Sequence, residues 1–341
     1  MSFIGGQGQQ VLTAYGWKYW EQLGNFANLM IPSLRSKKLI RKSCNIIEEK
    51  YKGNVYTHDI KDFKYAVTED HIIPCYNSKG TNIINRGSKE RRKVKQNTII
   101  SGSSFSLYNF ESFETNPLYI LVGFMFAHGR KKAKRSSKVY IQLTNERRVE
   151  YLHRLLNQLN ISSTTSKDKK GYVTFSMEDP FKNWILADDR KSIDRYSDFP
   201  PFITGYFERL NSRNIINIAI GLMNSDGPHE QVGQSYKFSS TTELYADIID
   251  FGYNLLNFDS YHAKPKTYKI EYPYYGRPIR PRYPVGISMY NQPTIELYCH
   301  SNNEERIRVH RKTTVYNATS PTNYLMVRGG ENRKSYISCS A

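Results

Sequence analysis

The stretch whose reading decides the fold is "LVGFMFAHG", residues 121–129, taken together with "AIGLMNSDG", residues 219–227. Each is an apolar run with glycine in its third position (Gly123, Gly221), closed by a small residue, a polar residue and a second glycine. A glycine within a helix costs about 1 kcal/mol relative to alanine, so its recurrence at the same place calls for a packing reason. Without a side chain at that point, two helices can approach backbone to backbone. The longer segment "NPLYILVGFMFAHG" (116–129) reads as a short buried helix. Two such helices packed in parallel would bring residues 128 and 226 together at their C-terminal ends.

The sequence after each motif repeats a texture. "KVYIQLT" reads as a strand, and "NERRVEYLHRLLNQLNI" as an amphipathic helix with Val149, Leu152, Leu155, Leu156 and Leu159 inward and Asn145 as its cap. "GYVTFSM" is a further strand. The second round runs through "SYKFSSTT", the helix "TELYADIIDFGYNLLNF", and the strands "TYKIEYPYY" and "RYPVGISMY". His128 and Asp226 are 98 residues apart. The expected class is therefore α+β, with a small helix-and-sheet unit present twice.

Both ends of the chain read as short strands and turns. Tyr15-Gly16 is expected to turn between two extended runs. Lys52-Gly53-Asn54 is expected as a hairpin-like turn between "IIEEKY" and "VYTHDI". "FKYAVTEDHIIPC" places an acidic turn before His71. "NSKGTNIINRGSKERRKVKQ" reads as a polar linker whose cations either ride on a phosphate backbone or belong to a solvated loop. Near the other end "TTVYNAT", "YLMVR" and "SYIS" are strands.

Charge is the strongest bulk signal: 49 Lys and Arg against 31 Asp and Glu give +18. Such a balance matches a phosphate backbone, whose condensed counterions are released on neutralisation. The four cysteines, Cys44, Cys75, Cys299 and Cys339, form no CxxC pair, which speaks against a zinc cluster or a disulfide framework. No signal-peptide pattern and no apolar run of the roughly 20 residues a membrane span needs is present. A soluble monomer is expected, in cytoplasm, an organelle matrix or a phage-infected cell.

The two motifs and their surroundings resemble the LAGLIDADG homing endonucleases. "YIQLTNERRVEYLHRLLNQLNI" and "YKFSSTTELYADIIDFGYNLLN" are similar to that family's strand-helix units, and the likeness covers roughly residues 106 to 298. It implies two pseudo-symmetric αββαββα repeats, 106–205 and 206–300, forming a saddle that binds double-stranded DNA, with structured RNA as the alternative. It also implies hydrolysis assisted by Mg²⁺ or Mn²⁺, since paired metals clamp the attacking and leaving oxygens of a phosphodiester. The family's acidic metal ligand falls on Asp226 and, in the other copy, on His128. Imidazole is a poor partner for a hard cation, so the resemblance implies binding more securely than cutting. The cations expected on DNA are Arg130, Lys131, Lys132, Lys134 and Arg135 after the first motif. Lys237, Arg277, Arg280 and Arg282 join them in the second half, and Arg91, Arg92 and Lys93 in the linker, 81–105. Lys170, Lys264, Lys266 and Lys269 are candidates for the catalytic lysine that the family often places on a strand after each motif.

The flanks, 1–80 and 301–341, resemble the Hint domain of inteins. "VLTAYGWKYWEQL" is similar to the first conserved block, and "YKGNVYTHDIKDFKYAVTEDHIIPC" to the one ending in Thr-x-x-His, here Thr68 and His71. "TTVYNATSPTNYLMVRGG" and "SYISCS" are similar to the closing blocks. The resemblance gives His71 the part of polarising the first splice junction and Ser2 that of the first nucleophile. It also requires a terminal Asn, whereas the chain ends "YISCSA", with Ser338 and Cys339 in that region. Splicing is therefore expected to be lost.

Overall fold

The computed structural model describes residues 4–5, 8–60, 63–76, 83–87, 98–100, 102, 105–130, 137–180, 211–227, 235–240, 243–256, 258–262, 283–288, 294–296, 308–310, 313–329 and 335–340, and structural statements refer to these.

Strands from the two ends of the chain interleave in one 11-stranded sheet. Gln9–Thr13 pairs antiparallel with Tyr324–Gly329, and Thr313–Ala318 lies between Ile4–Gly5 and Lys38–Tyr51. These strands are rich in β-branched and aromatic residues, which fill a pleated, half-buried surface. Their inward side chains, Val11, Leu29, Ile31, Tyr316, Leu325, Val327 and Tyr336 among them, form one core. Within it Trp20 stacks on Tyr316 with ring centroids 6.0 Å apart.

Two local expectations are corrected. The first turn lies at Ala14-Tyr15, one residue early, because Thr13 pairs with Gly16. The Thr13 hydroxyl fixes it, accepting from Tyr15 N at 3.1 Å and donating to Gly16 O at 2.6 Å. Gly16 takes φ 107°, a value only glycine adopts without strain. The strands either side of Lys52-Gly53-Asn54 do not pair with each other. Lys38–Tyr51 takes Thr313–Ala318 as neighbour, whereas Val55–Ile60 pairs with Phe63–Thr68 and Arg308–His310. The stretch read as linker also holds strands, Ile83–Gly87 and Thr98–Ile100. Its isoleucine pairs, Ile83-Ile84 and Ile99-Ile100, supply β-formers amid the charges, and Ile72–Tyr76 runs between the two strands. Thr294–Glu296 completes that sheet.

Four helices occupy the middle of the chain among the described residues: α1 (Pro117–His128), α2 (Glu146–Gln158), α3 (Ser212–Asp226) and α4 (Glu243–Leu255). Asn116 caps α1, its side chain accepting from Leu118 N at 3.0 Å, and Pro117 follows at the position where its missing N–H is not needed. Asn145 and Asn211 cap α2 and α3 in the same manner. Residues 120–126 of α1 are all buried, so this helix is covered on every side rather than amphipathic. No helix is long and apolar enough to cross a membrane.

Two antiparallel sheets follow the helices. In the first the order is Gly129–Arg130, Lys138–Leu143, Val173–Glu178, Ser163–Lys167. In the second it is Ser235–Ser240, Tyr283–Ser288, Asp259–His262, with the strand after the motif again at the edge of the hairpin that follows. Leu152, Leu155 and Leu156 of α2 share a core with Val139, Ile141, Phe175 and Met177 of the first sheet.

A buried ion cluster joins the terminal sheet to α4. Arg328, on Tyr324–Gly329, is 1% exposed. Its Nε donates to Gln10 Oε1 at 2.7 Å, one Nη donates to Asp250, and the other reaches Asp247 at 3.3 Å. Its guanidinium lies 4.5 Å from the Trp17 ring centroid.

Candidate functional site

The helices α1 and α3 lie side by side and parallel. At their N-terminal ends Asn116 N donates to the buried Asn217 side chain at 2.8 Å, and Arg213 pairs with Glu114 at 2.8 Å. At their C-terminal ends His128 meets the last turn of α3. The contact between them is made by backbone. A Cβ on Gly123 would stand 2.6 Å from Leu222 N and 2.8 Å from Gly221 C, and one on Gly221 would stand 3.0 Å from Gly123 Cα. Real Cβ atoms do not approach that closely, so glycine is what permits the pair to form.

His128 and Asp226 thus end up at the same end of the pair. The His128 Nε2 is 3.0 Å from Ser225 O, and because a carbonyl only accepts, Nε2–H is the donor. It satisfies one of the carbonyls that a helix end leaves without an intrahelical partner. Asp226 is exposed and closes α3. A carboxylate there opposes the negative end of the helix dipole, so helix stability does not explain its presence.

A third residue reaches the same end. Arg148, in the first turn of α2, donates from Nη2 to Gly227 O at 2.8 Å. Burial draws its guanidinium below the ordinary arginine range, and the charge of Asp226 opposes that change. Among the described residues no three His, Cys, Asp or Glu side chains gather where they could hold a metal ion. Among the described residues, the donors at the helix-pair end are one carboxylate and an imidazole whose Nε2 is already engaged, a poor fit to a hard cation that wants several oxygen ligands.

The first sheet offers a polar face beside this end. Arg130, Tyr140, Ser176 and Thr164 stand in register across it, with Gln142, Thr174 and Ser166 in the next row. Val139, Ile141, Phe175 and Met177 alternate with them and are buried on the opposite face. Arg130 is exposed. In the second sheet Lys237 pairs with Gly286. Lys170 lies in the turn between Ser163–Lys167 and Val173–Glu178, its N donating to Asp168 Oδ1 at 2.9 Å. Ser2, Arg91, Arg92, Lys93, Lys131, Lys132, Lys134, Arg135, Lys264, Lys266, Lys269, Arg277, Arg280 and Arg282 lie outside the described residues.

A second, separate cluster surrounds Thr68 and His71, both buried. His71 N donates to Thr68 O at 3.0 Å, closing the turn, and His71 Nε2 is 2.6 Å from the hydroxyl of Ser338. Cys339 follows Ser338 on the same strand, and burial pushes its thiol up to about 11, with Cys75 adding to the effect. At neutral pH that thiol is protonated and a weak nucleophile.

Arg148 and one basic hairpin escape the sequence reading. In the hairpin formed by Phe26–Ser33 and Lys38–Tyr51, the exposed residues Arg35, Lys37, Lys38, Arg41 and Lys42 lie in a stretch, 25–47, without Asp or Glu. Arg41 is held by the Tyr15 hydroxyl at 2.9 Å, and Lys37 lies over the Phe105 ring at 5.3 Å. A running charge count would have found the hairpin. Nothing local marks Arg148, whose partner is 79 residues away.

No family model matches the chain, and no curated protein matches it. Among solved structures, full-length WhiA from Thermatoga maritima is 13% identical with a TM-score of 0.32, over 50% of this chain and 50% of that one. The chain thus spans about half the length of that protein. The N-terminal LAGLIDADG domain of WhiA is 14% identical at the same TM-score, over 52% and 77%. I-DmoI in complex with DNA and Mn is 14% identical, again at 0.32, over 50% and 89%. Likenesses of this size carry no assignment of ligand or reaction.

Proposed function

We propose that the chain is an intein-type, LAGLIDADG homing-endonuclease-like protein that binds duplex DNA through a basic β-saddle, with impaired phosphodiester hydrolysis. The two repeats span 106–205 and 206–300, and the flanking β-strands form a Hint-like frame. One observation carries the reading: two glycine-bearing helices run in parallel, backbone against backbone, and each is followed by a small antiparallel sheet. The polar rows of the first sheet suit base edges and phosphates in a major groove. The exposed cations of the 35–42 hairpin add to the phosphate-facing charge.

The test is duplex binding by mobility shift with a random-sequence DNA of about three helical turns. Binding is expected at low salt without divalent metal, and it should weaken steeply as salt rises, with a log–log slope of about −0.9 for each phosphate contacted. No binding at low salt would sink the proposal.

A second reading, a non-catalytic nucleic-acid scaffold acting on RNA, is favoured by the commitment of His128 to the Ser225 carbonyl. A structured RNA that outcompetes duplex DNA would select it. For the Hint-like part, His71 Nε2 is engaged with the Ser338 hydroxyl at 2.6 Å rather than with a splice junction. Prolonged incubation is therefore expected to leave the 39.7 kDa chain intact by mass spectrometry; specific cleavage fragments would contradict this.

A further inference from the structure

The end of the α1–α3 pair poses a charge problem that the chain solves with its own atoms. Two parallel helices present the negative ends of their dipoles together, each worth about half an elementary charge. Asp226 adds a full negative charge at the same place. A dication bridging carboxylates would be one way to balance this. In this chain the balancing groups are side chains: His128 donates to Ser225 O, and Arg148 donates to Gly227 O, the carbonyl of the residue that follows Asp226. Arg148 is not a mobile surface cation. It sits in the first turn of α2, where its own N–H is the group that the Asn145 cap receives, at 3.2 Å.

We infer that Arg148 is the resident cation of the helix-pair end and that, with His128, it closes that end to a divalent metal ion. The inference rests on reading this end as the counterpart of a LAGLIDADG metal site. A fixed guanidinium repels an incoming dication and competes with it for Asp226. Among the described residues, the donor set that remains is one carboxylate and an imidazole already in use. Restoring a carboxylate at 128 is not enough, because the new group would pair with Arg148. Both positions have to change before oxygen ligands outnumber positive charges.

The experiment is a Mn²⁺ titration followed by electron paramagnetic resonance, without DNA. It uses the full chain, Arg148→Met, His128→Asp, the double variant, and the double variant with Asp226→Asn. The parent and both single variants are expected to bind Mn²⁺ no tighter than about 1 mM, the weak end of protein sites for hard cations. The double variant should bind at least about tenfold tighter than either single, and Asp226→Asn should abolish the gain. Arg148→Lys in the His128→Asp background keeps the charge and is expected to bind as weakly as the singles. Circular dichroism on each variant confirms that the fold is retained, and Arg148→Gln, which removes the charge but keeps an N–H donor, replaces Arg148→Met if that variant unfolds. The inference is overturned if the parent binds tightly through Asp226, or if His128→Asp alone matches the double. Duplex binding is measured separately, so its failure would overturn the functional reading and leave the metal result standing.

Discussion

Gly221→Val is expected to destabilise the chain by about 2–3 kcal/mol, the upper range for overpacking, read as a lower urea midpoint. A Cβ at this position would lie 2.9 Å from Ile120 C and 3.0 Å from Gly123 Cα, with Ile120 O nearer still. These are backbone atoms of the facing helix, which cannot rotate aside as a long side chain would. Relief therefore requires α1 and α3 to separate. That movement loosens Ile120, Leu121, Phe124, Ile218 and Leu222, all of them buried. Gly221→Ala tests the balance of two effects. Alanine gains about 1 kcal/mol of helix propensity, yet its methyl meets the same backbone, so a smaller net loss is expected. Gly24 provides the control, since a Cβ there has nothing within 4 Å and Gly24→Ala should be close to neutral. Separation would also pull His128 from Ser225 O, so weaker duplex binding should accompany the loss of stability. An unchanged midpoint for Gly221→Val would mean that the helices do not meet through these glycines.

How much was legible in advance follows from how local each signal is. The glycine in an apolar run names its own requirement, and Asn145 caps the helix it precedes, so both could be read from their neighbours. Strand partners could not. Lys38–Tyr51 pairs with Thr313–Ala318, and nothing in "KLIRKSCNIIEEKY" names a segment more than 260 residues away. The turn at Lys52-Gly53-Asn54 has hairpin chemistry, but sheet order overrode it. Charge density concealed the strands Ile83–Gly87 and Thr98–Ile100, which pair on either side of Ile72–Tyr76. At the candidate site the sequence located His128 and Asp226. It did not show that His128 Nε2–H would donate to the Ser225 carbonyl or that Arg148 would donate to Gly227 O. Both depend on how three helices converge, which periodicity along one helix does not encode.

Arg328→Met is expected to cost about 3–5 kcal/mol, the range for removing one partner of a buried ion pair. Arg328 and Asp250 are each 1% exposed, so the truncation leaves a carboxylate in the core without its cation. Asn254 continues to donate to Asp250, at 3.1 Å to Oδ1, but an amide does not neutralise it. The loss is electrostatic rather than one of volume, because methionine is unbranched and can keep contact with the Trp17 ring. Arg328→Met combined with Asp250→Leu is therefore expected to recover most of the stability, since apolar side chains of similar size often replace a buried pair at little cost. Asp247, partly exposed, would keep its hydration in that double variant. A double-mutant cycle on urea midpoints checks this, and additive losses would show that the two residues do not act as a pair. The consequence extends beyond stability, because Arg328 belongs to the terminal sheet and Asp250 to α4. Gln10 extends the same bond network to the opposite end of the chain. If this cluster fixes the β-frame on the helix core, the single variant should also weaken duplex binding, and the double variant should restore it along with the fold.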